Sequence, residues 1–131
     1  MKFEIHPIGV VHSPFIYKKD APPQVKYSLN TKATVEIYHD YVEGINGLER
    51  FESIIIISYL HKSQNYSLMT IPRTGNKLRG VFSTRSPHRP NPLAISITKL
   101  LEIKNNVLYI QGIDLINGTP VIDIKPYIKE I

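Results

Sequence analysis

The sequence predicts an all-β protein, a barrel or a sandwich, with little helix. Three observations carry that expectation. About seven stretches are rich in β-branched residues and have strand rather than helix length. They are separated by turns bearing Gly, Pro and Asn, not by amphipathic helical segments, which argues against parallel βαβ units. Only residues 41–51 (YVEGINGLERF) have helical character, and Gly44 and Gly47 limit them to a turn or two.

Taken in order, Phe3–His12 alternates and reads as a strand, with Pro7 confining part of it to an edge or bulge. Residues 14–31 show no period and read as a long, basic, partly stiff loop. Ala33–Tyr38 is a second strand. Phe51–Leu60, with four consecutive isoleucines, fits a strand buried on both faces. Leu78–Phe82 is strand-like. Leu93–Ile103 and Val107–Ile116 are strands joined by a tight turn at Lys104-Asn105-Asn106. Asn117-Gly118-Thr119-Pro120 is a sharp turn before the short apolar Val121–Ile124.

A chain of 131 residues is most simply one domain, here 1–131 with no second C-terminal domain, and can bury a real core. It has no cysteine, which excludes disulfides and thiolate metal sites. No apolar run reaches the roughly 20 residues of a membrane span, and no signal-peptide pattern opens the chain, so a cytoplasmic location is expected. The net charge of +5 and pI near 9.4 lean toward a polyanionic partner.

Residues 80–96 (GVFSTRSPHRPNPLAIS) are the richest in chemistry. Arg85, His88, Arg89 and Asn91 stand among hydroxyls and among Pro87, Pro90 and Pro92, which fix their own φ and bias the residue before them toward extended backbone. The loop is therefore stiff where its polar groups sit, which is how a binding site is preorganised. The five histidines are scattered without metal-ligand spacing, so no metal is expected. There is no GxSxG elbow, GxGxxG or Walker pattern. What remains is a site of arginines, amides, backbone donors and apolar walls, suited to binding and alignment. Methyl transfer from a sulfonium needs little more.

Several motifs, in order along nearly the whole chain, resemble the TrmO (YaeB-like) family of S-adenosylmethionine-dependent tRNA methyltransferases. They are PIGVVHSPF (7–15), PPQ (22–24), GLERF (47–51), LHK (60–62), GNK (75–77), the 80–96 loop and DLINGTPVIDIKPYI (114–128). The resemblance implies a β-barrel, a homodimer, S-adenosylmethionine as cofactor and N6 of threonylcarbamoyladenosine, beside the anticodon of a threonine tRNA, as acceptor. It places cofactor contacts on Pro22, Pro23, Gln24, His61, Lys62, Arg85, Ile95, Asp114, Leu115, Ile116, Asn117 and Gly118. Arg85 is expected to pair with a carboxylate, Ile95 to wall the adenine, and the Asn117-Gly118 backbone to read the adenine edge or ribose. Arg89, Lys77 and Lys18 are candidates for phosphate contacts, and His88 and Tyr127 for removal of the N6 proton. The chain departs from the family pattern with Pro23 in place of an arginine, Lys62 of a glutamine, Ala94 of a glycine and Asn117 of an aspartate. Two alternatives stand beside this reading: the same methyl donor with another RNA or small-molecule acceptor, or a non-enzymatic module binding S-adenosylmethionine or RNA.

Overall fold

The computed structural model describes residues 1–129. Six strands close an antiparallel barrel in the order β1 (Gly9–His12), β2 (Lys32–Ile37), β7 (Val107–Gln111), β6 (Leu93–Lys104), β3 (Ser53–Tyr59) and β8 (Pro120–Pro126). Two further strands, β4 (Met69–Thr70) and β5 (Arg79–Gly80), form a ribbon of their own. Among the described residues helix is confined to short 3-10 turns, among them His39–Ile45 and Leu48–Arg50, split by Gly47 at φ 89°. The expected all-β class and the barrel are both found.

Period-two alternation builds the core. Val11, Val35, Ile37, Ile54, Ile56, Leu108, Ile110 and Val121 point inward with essentially no exposure. Each such side chain contributes about 1.5–3 kcal/mol by leaving water. Closure requires β1 to lie close to β2. Gly9 pairs with Ile37 and Val121, and a Cβ there would run into the Glu36 carbonyl. Gly9→Ala is therefore expected to lower the urea midpoint, by about 1–3 kcal/mol of stability, with the slope unchanged. An unaltered midpoint would show that the strand shifts freely.

Several strand boundaries differ from the sequence expectation, each for a physical reason. Residues 3–7 pair with no strand, because β2 ends at Ile37 opposite Gly9, and Ile8 reaches β8 only through its N–H, which donates to the Val121 carbonyl at 2.7 Å; Phe3 is 80% exposed. Leu78–Phe82 shrinks to the ribbon strand β5, and Val81–Ser83 coils into a 3-10 turn. The segment after Gln111 leaves the sheet at Gly112, whose φ of 87° is left-handed, so Ile113 and Leu115 plug the barrel end instead of extending β7. The isoleucine run is not buried on both faces: Ile54 and Ile56 are sealed inside, whereas Ile55 and Ile57 lie half-buried on the outer surface.

The two ends of the barrel are unequal. One carries the Asn105-Asn106 hairpin and the 3-10 turns of 39–50. The other carries three connections, 13–31, 60–92 and 112–119, with 60–92 the longest of the fold. Binding groups on a rigid scaffold concentrate at such an end.

Candidate functional site

The three long connections enclose a cavity of about 840 Å³, within the roughly 300–1,000 Å³ of small-molecule sites. Its wall joins residues far apart in sequence. Lys18, Pro22, Pro23 and Gln24 come from the first connection; Leu60, His61, Lys62, Arg85 and His88 from the second; Asp114, Leu115 and Ile116 from the third. The β4–β5 ribbon adds Thr70, Ile71, Arg73 and Arg79.

The 80–96 loop is held by its own hydroxyls as well as its prolines. Thr84 Oγ1 donates to the Val81 carbonyl at 2.8 Å and accepts from the Ser86 N–H at 3.1 Å; Ser86 Oγ accepts from the His88 N–H at 3.2 Å. Ser63 Oγ donates to the Pro87 carbonyl at 2.8 Å, and the Leu60 N–H to Pro92 at 2.8 Å, tying the loop to the end of β3. On the opposite wall Arg73 Nη1 donates to the Ala21 carbonyl at 3.0 Å, bracing the ribbon against the Pro22–Gln24 loop. The donors and walls are fixed before any ligand arrives.

Charge in the cavity is one-sided. Among the described residues six lysines and arginines line it (Lys18, Lys19, Lys62, Arg73, Arg79, Arg85) against one carboxylate, Asp114. Asp114 accepts a 2.5 Å hydrogen bond from Ser96 Oγ, which projects into the barrel from β6. Burial pushes the Asp114 carboxyl above its ordinary value, against the opposing pull of the Ser96 hydroxyl, the backbone N–H and the Arg85 guanidinium. Arg85 also donates from Nη1 to the Ile95 carbonyl at 3.3 Å. Burial, and then the charge of Lys62, push His61 below its ordinary value, so its imidazole is neutral at pH 7. Its Nδ1 is buried without a protein partner. Among the described residues no three His, Asp or Glu side chains converge as metal ligands.

Most of the residues singled out in the sequence meet here, but six do not. Ile95 points out from β6, 41% exposed, away from the cavity of its own chain. Asn117 and Gly118 lie outside the wall, and their N–H groups are already given to the carbonyls of Phe15 (2.6 Å) and Val11 (2.8 Å), so that turn offers no free backbone donor. Tyr127 follows β8 and bonds to Ser53, where β3 begins. The cavity is where β3 ends, about 20 Å away at 3.3 Å per strand residue. Lys77 lies on the exposed tip of the ribbon, outside the wall. Arg89, read as a phosphate ligand, gives Nη1 to the carbonyls of Thr84 (2.8 Å) and Ser86 (3.1 Å) and so braces its own loop. Sequence reasoning expected a strand over Leu78–Phe82 but missed β4 and its pairing into a ribbon. The Thr74-Gly75-Asn76-Lys77 turn between two short apolar runs was the signal, and strands of two residues are too short for periodicity to register.

Residues 10–131 match the family described as the tRNA-methyltransferase O N-terminal domain. A protein of Methanothermobacter thermautotrophicus named a probable S-adenosyl-L-methionine-binding protein is 42% identical, the match covering 100% of this chain and 94% of that one. The human tRNA (adenine(37)-N6)-methyltransferase is 37% identical over 95% of this chain, which spans 30% of its length. The crystal structure of TrmO from Pseudomonas aeruginosa superposes with a TM-score of 0.81 at 34% identity, covering 98% of this chain and 57% of that one.

Proposed function

The chain belongs to the family of the tRNA-methyltransferase O N-terminal domain, and we propose that its cavity binds S-adenosylmethionine and presents the methyl group to an adenine N6 of tRNA. The observation that carries this reading is the convergence of Pro22–Gln24, His61, Lys62, Arg85 and Asp114–Ile116, dispersed in sequence, on one cavity. The residues fit the methyl donor. Arg85 suits its carboxylate, bidentately. Asp114 is the one lining anion available to its cationic groups. Leu60, Ile71, Ala94 and Leu115 supply apolar wall for the adenine faces, and the buried His61 Nδ1 is a polar atom awaiting a partner.

S-adenosylmethionine supplies a methyl carbon already activated on a sulfonium, so the N–C bond forms as the C–S bond breaks. The protein's task is to hold the two reactants in line and to take one proton. Three lining groups can accept it: Asp114, His61 and His88. His88, exposed at the rim, with Nδ1 3.5 Å from Ser63 Oγ, is placed where the acceptor enters. Tyr127 is too far away to serve.

The finer reading is N6-methylation of threonylcarbamoyladenosine at position 37 of a threonine tRNA by a cytoplasmic homodimer, with 1–131 as its one catalytic domain. The dimer is supported by an apolar outer face on β3 and β6, where Ile55, Ile57 and Tyr59 pair directly with Ile97, Ile95 and Leu93. Their side chains are half-buried or exposed in a single chain. A second reading keeps the methyl donor and changes the acceptor. It is favoured by the relative that the chain spans to 94%, which is named only for S-adenosylmethionine binding.

Incubation with labelled methyl donor and tRNA bearing threonylcarbamoyladenosine decides between them. Label in N6 of that nucleoside is expected; its absence while the methyl donor binds would leave the second reading. Arg85→Ala should weaken methyl-donor binding about ten- to hundred-fold by calorimetry, the loss of about 1.5–3 kcal/mol for a charge-assisted pair. Unchanged affinity would show that Arg85 serves only to hold the loop to β6.

A further inference from the structure

Phe82 is 76% exposed, yet it does not sit on a loose segment. It occupies the 3-10 turn Val81–Ser83, anchored on one side by Val81, 1% exposed, and closed by the Ser83 hydroxyl on the Gly80 carbonyl at 2.7 Å. The Val81 N–H bonds to the Leu68 carbonyl at 2.8 Å, fixing the turn to the ribbon. The Arg89 guanidinium lies over the Phe82 ring, 5.9 Å from its centroid, and is itself held by two carbonyls of the same loop. A large apolar ring is thus clamped from one side and left open to solvent on the other, at the rim of the cavity.

We propose that Phe82, backed by Arg89, is a stacking platform for a nucleobase of the bound single-stranded RNA. Three features select this occupant over a protein surface. The ring is held by its turn and by Arg89 at the cavity rim, whereas the exposed apolar side chains of the adjoining ribbon, Leu68, Met69, Ile71 and Leu78, are aliphatic and offer no stacking face. Its rim is cationic, with Arg73, Arg79 and Lys62 in the same wall and Lys77 on the ribbon tip, which matches a phosphate backbone threading past it. And an enzyme that must bring a base to a pocket has to hold the loop unstacked, for which an aromatic face beside the pocket is the direct means. The Arg89 contact adds a role to a residue whose hydrogen bonds point away from phosphate: it holds the ring in orientation and makes the platform cationic.

This inference rests on the RNA substrate argued above, and the test separates the two. The chain contains no tryptophan, so Phe82→Trp installs a single indole at the platform, excited selectively over the eight tyrosines. Titration with a single-stranded oligoadenylate should quench its emission, and an abasic oligonucleotide of the same length, with the same phosphates, should not. Phe82→Ala and Phe82→Leu should both weaken oligoadenylate binding, by about five- to hundred-fold, without changing the slope of log K against log salt, because no phosphate contact is lost. Unquenched emission from a variant that still binds RNA overturns the platform and leaves the RNA reading standing. Emission that shifts blue with protein concentration alone overturns it in favour of a contact between copies. Failure of the unmodified protein to bind any RNA overturns both.

Discussion

Asp114→Asn is expected to weaken S-adenosylmethionine binding about ten- to hundred-fold while making the protein without ligand at least as stable as before. The two effects have one cause. Asp114 is a carboxylate held in a largely buried position at the end of the barrel, and burial raises its folded pKa above the ordinary 3.8 despite Ser96 and Arg85. The sign for stability follows. A group that binds its proton more tightly when folded gives stability that is complete at pH values below 3.8 and is lost as pH rises through the folded value. At neutral pH Asp114 is therefore a cost. Asparagine has nearly the same shape and its Oδ1 still accepts from Ser96, but it carries no charge, so that cost disappears. What is lost with it is the one anion in a wall of six lysines and arginines. A charge-assisted bond to a ligand cation contributes about 1.5–3 kcal/mol, which is the predicted loss of affinity. Thermal unfolding measured across pH should show the wild type losing stability between the ordinary carboxylate range and neutrality relative to the variant. Methyl-donor affinity in the wild type should fall as acid protonates Asp114, at a pH above that of an exposed carboxylate. A variant that binds the methyl donor normally would show that Asp114 serves the barrel alone.

The same residue shows how far the sequence could be read. Its importance was visible, because Asp114 stands in a motif. Its environment was not, because that depends on Gly112 leaving the sheet and turning Asp114 in beside Ser96, eighteen positions earlier. The β-branched runs announced strands because branching and period-two alternation are local properties. Closure is not local: it appears only when β1 pairs with β8 from the far end of the chain. Local chemistry also misled. Arg89 looked like a free cation, and Asn117-Gly118 like a bare turn, because a sequence does not reveal which carbonyls and N–H groups lie within reach. Once folded, Thr84 and Ser86 take up Arg89, and Phe15 and Val11 take up the turn. The prolines of 80–96 correctly signalled stiffness, but bracing also comes from the local bonds of Thr84 and Ser86, of a kind serine and threonine make in many loops, and from Ser63, which reaches Pro87 from twenty-four positions away.

Ile95→Glu is expected to give a folded monomer with impaired methyl-donor binding. Ile95 was read as a wall of the cavity, yet its side chain lies on the outer face of β6, directly opposite Ile57 of β3. Ile55 and Ile57 are only half-buried on that outer face in one chain, and the proposed dimer is what would cover them. Pairing two copies across this face would bury Ile95 against its symmetry mate or a neighbouring isoleucine. It would also bring the partner beside the Arg85 side chain, which is fixed to the Ile95 carbonyl. A two-fold axis counts every change twice. Ile95 still exposes 41% of its surface in one chain, so covering it contributes about 1 kcal/mol per copy, and an unpaired carboxylate in the interface adds several more. Dimer dissociation should therefore rise at least about a thousand-fold, the equivalent of about 4 kcal/mol. The side chain is 41% exposed in a single chain, so the barrel itself should survive. Sedimentation of the wild type at micromolar concentration should give twice the 15.0 kDa of the chain, and of the variant once. Ile95→Leu should remain dimeric. A wild type that sediments as a monomer, or a variant that stays paired, would remove the interface from this face. A monomeric variant with full methyl-donor affinity would show that one chain completes the cavity alone.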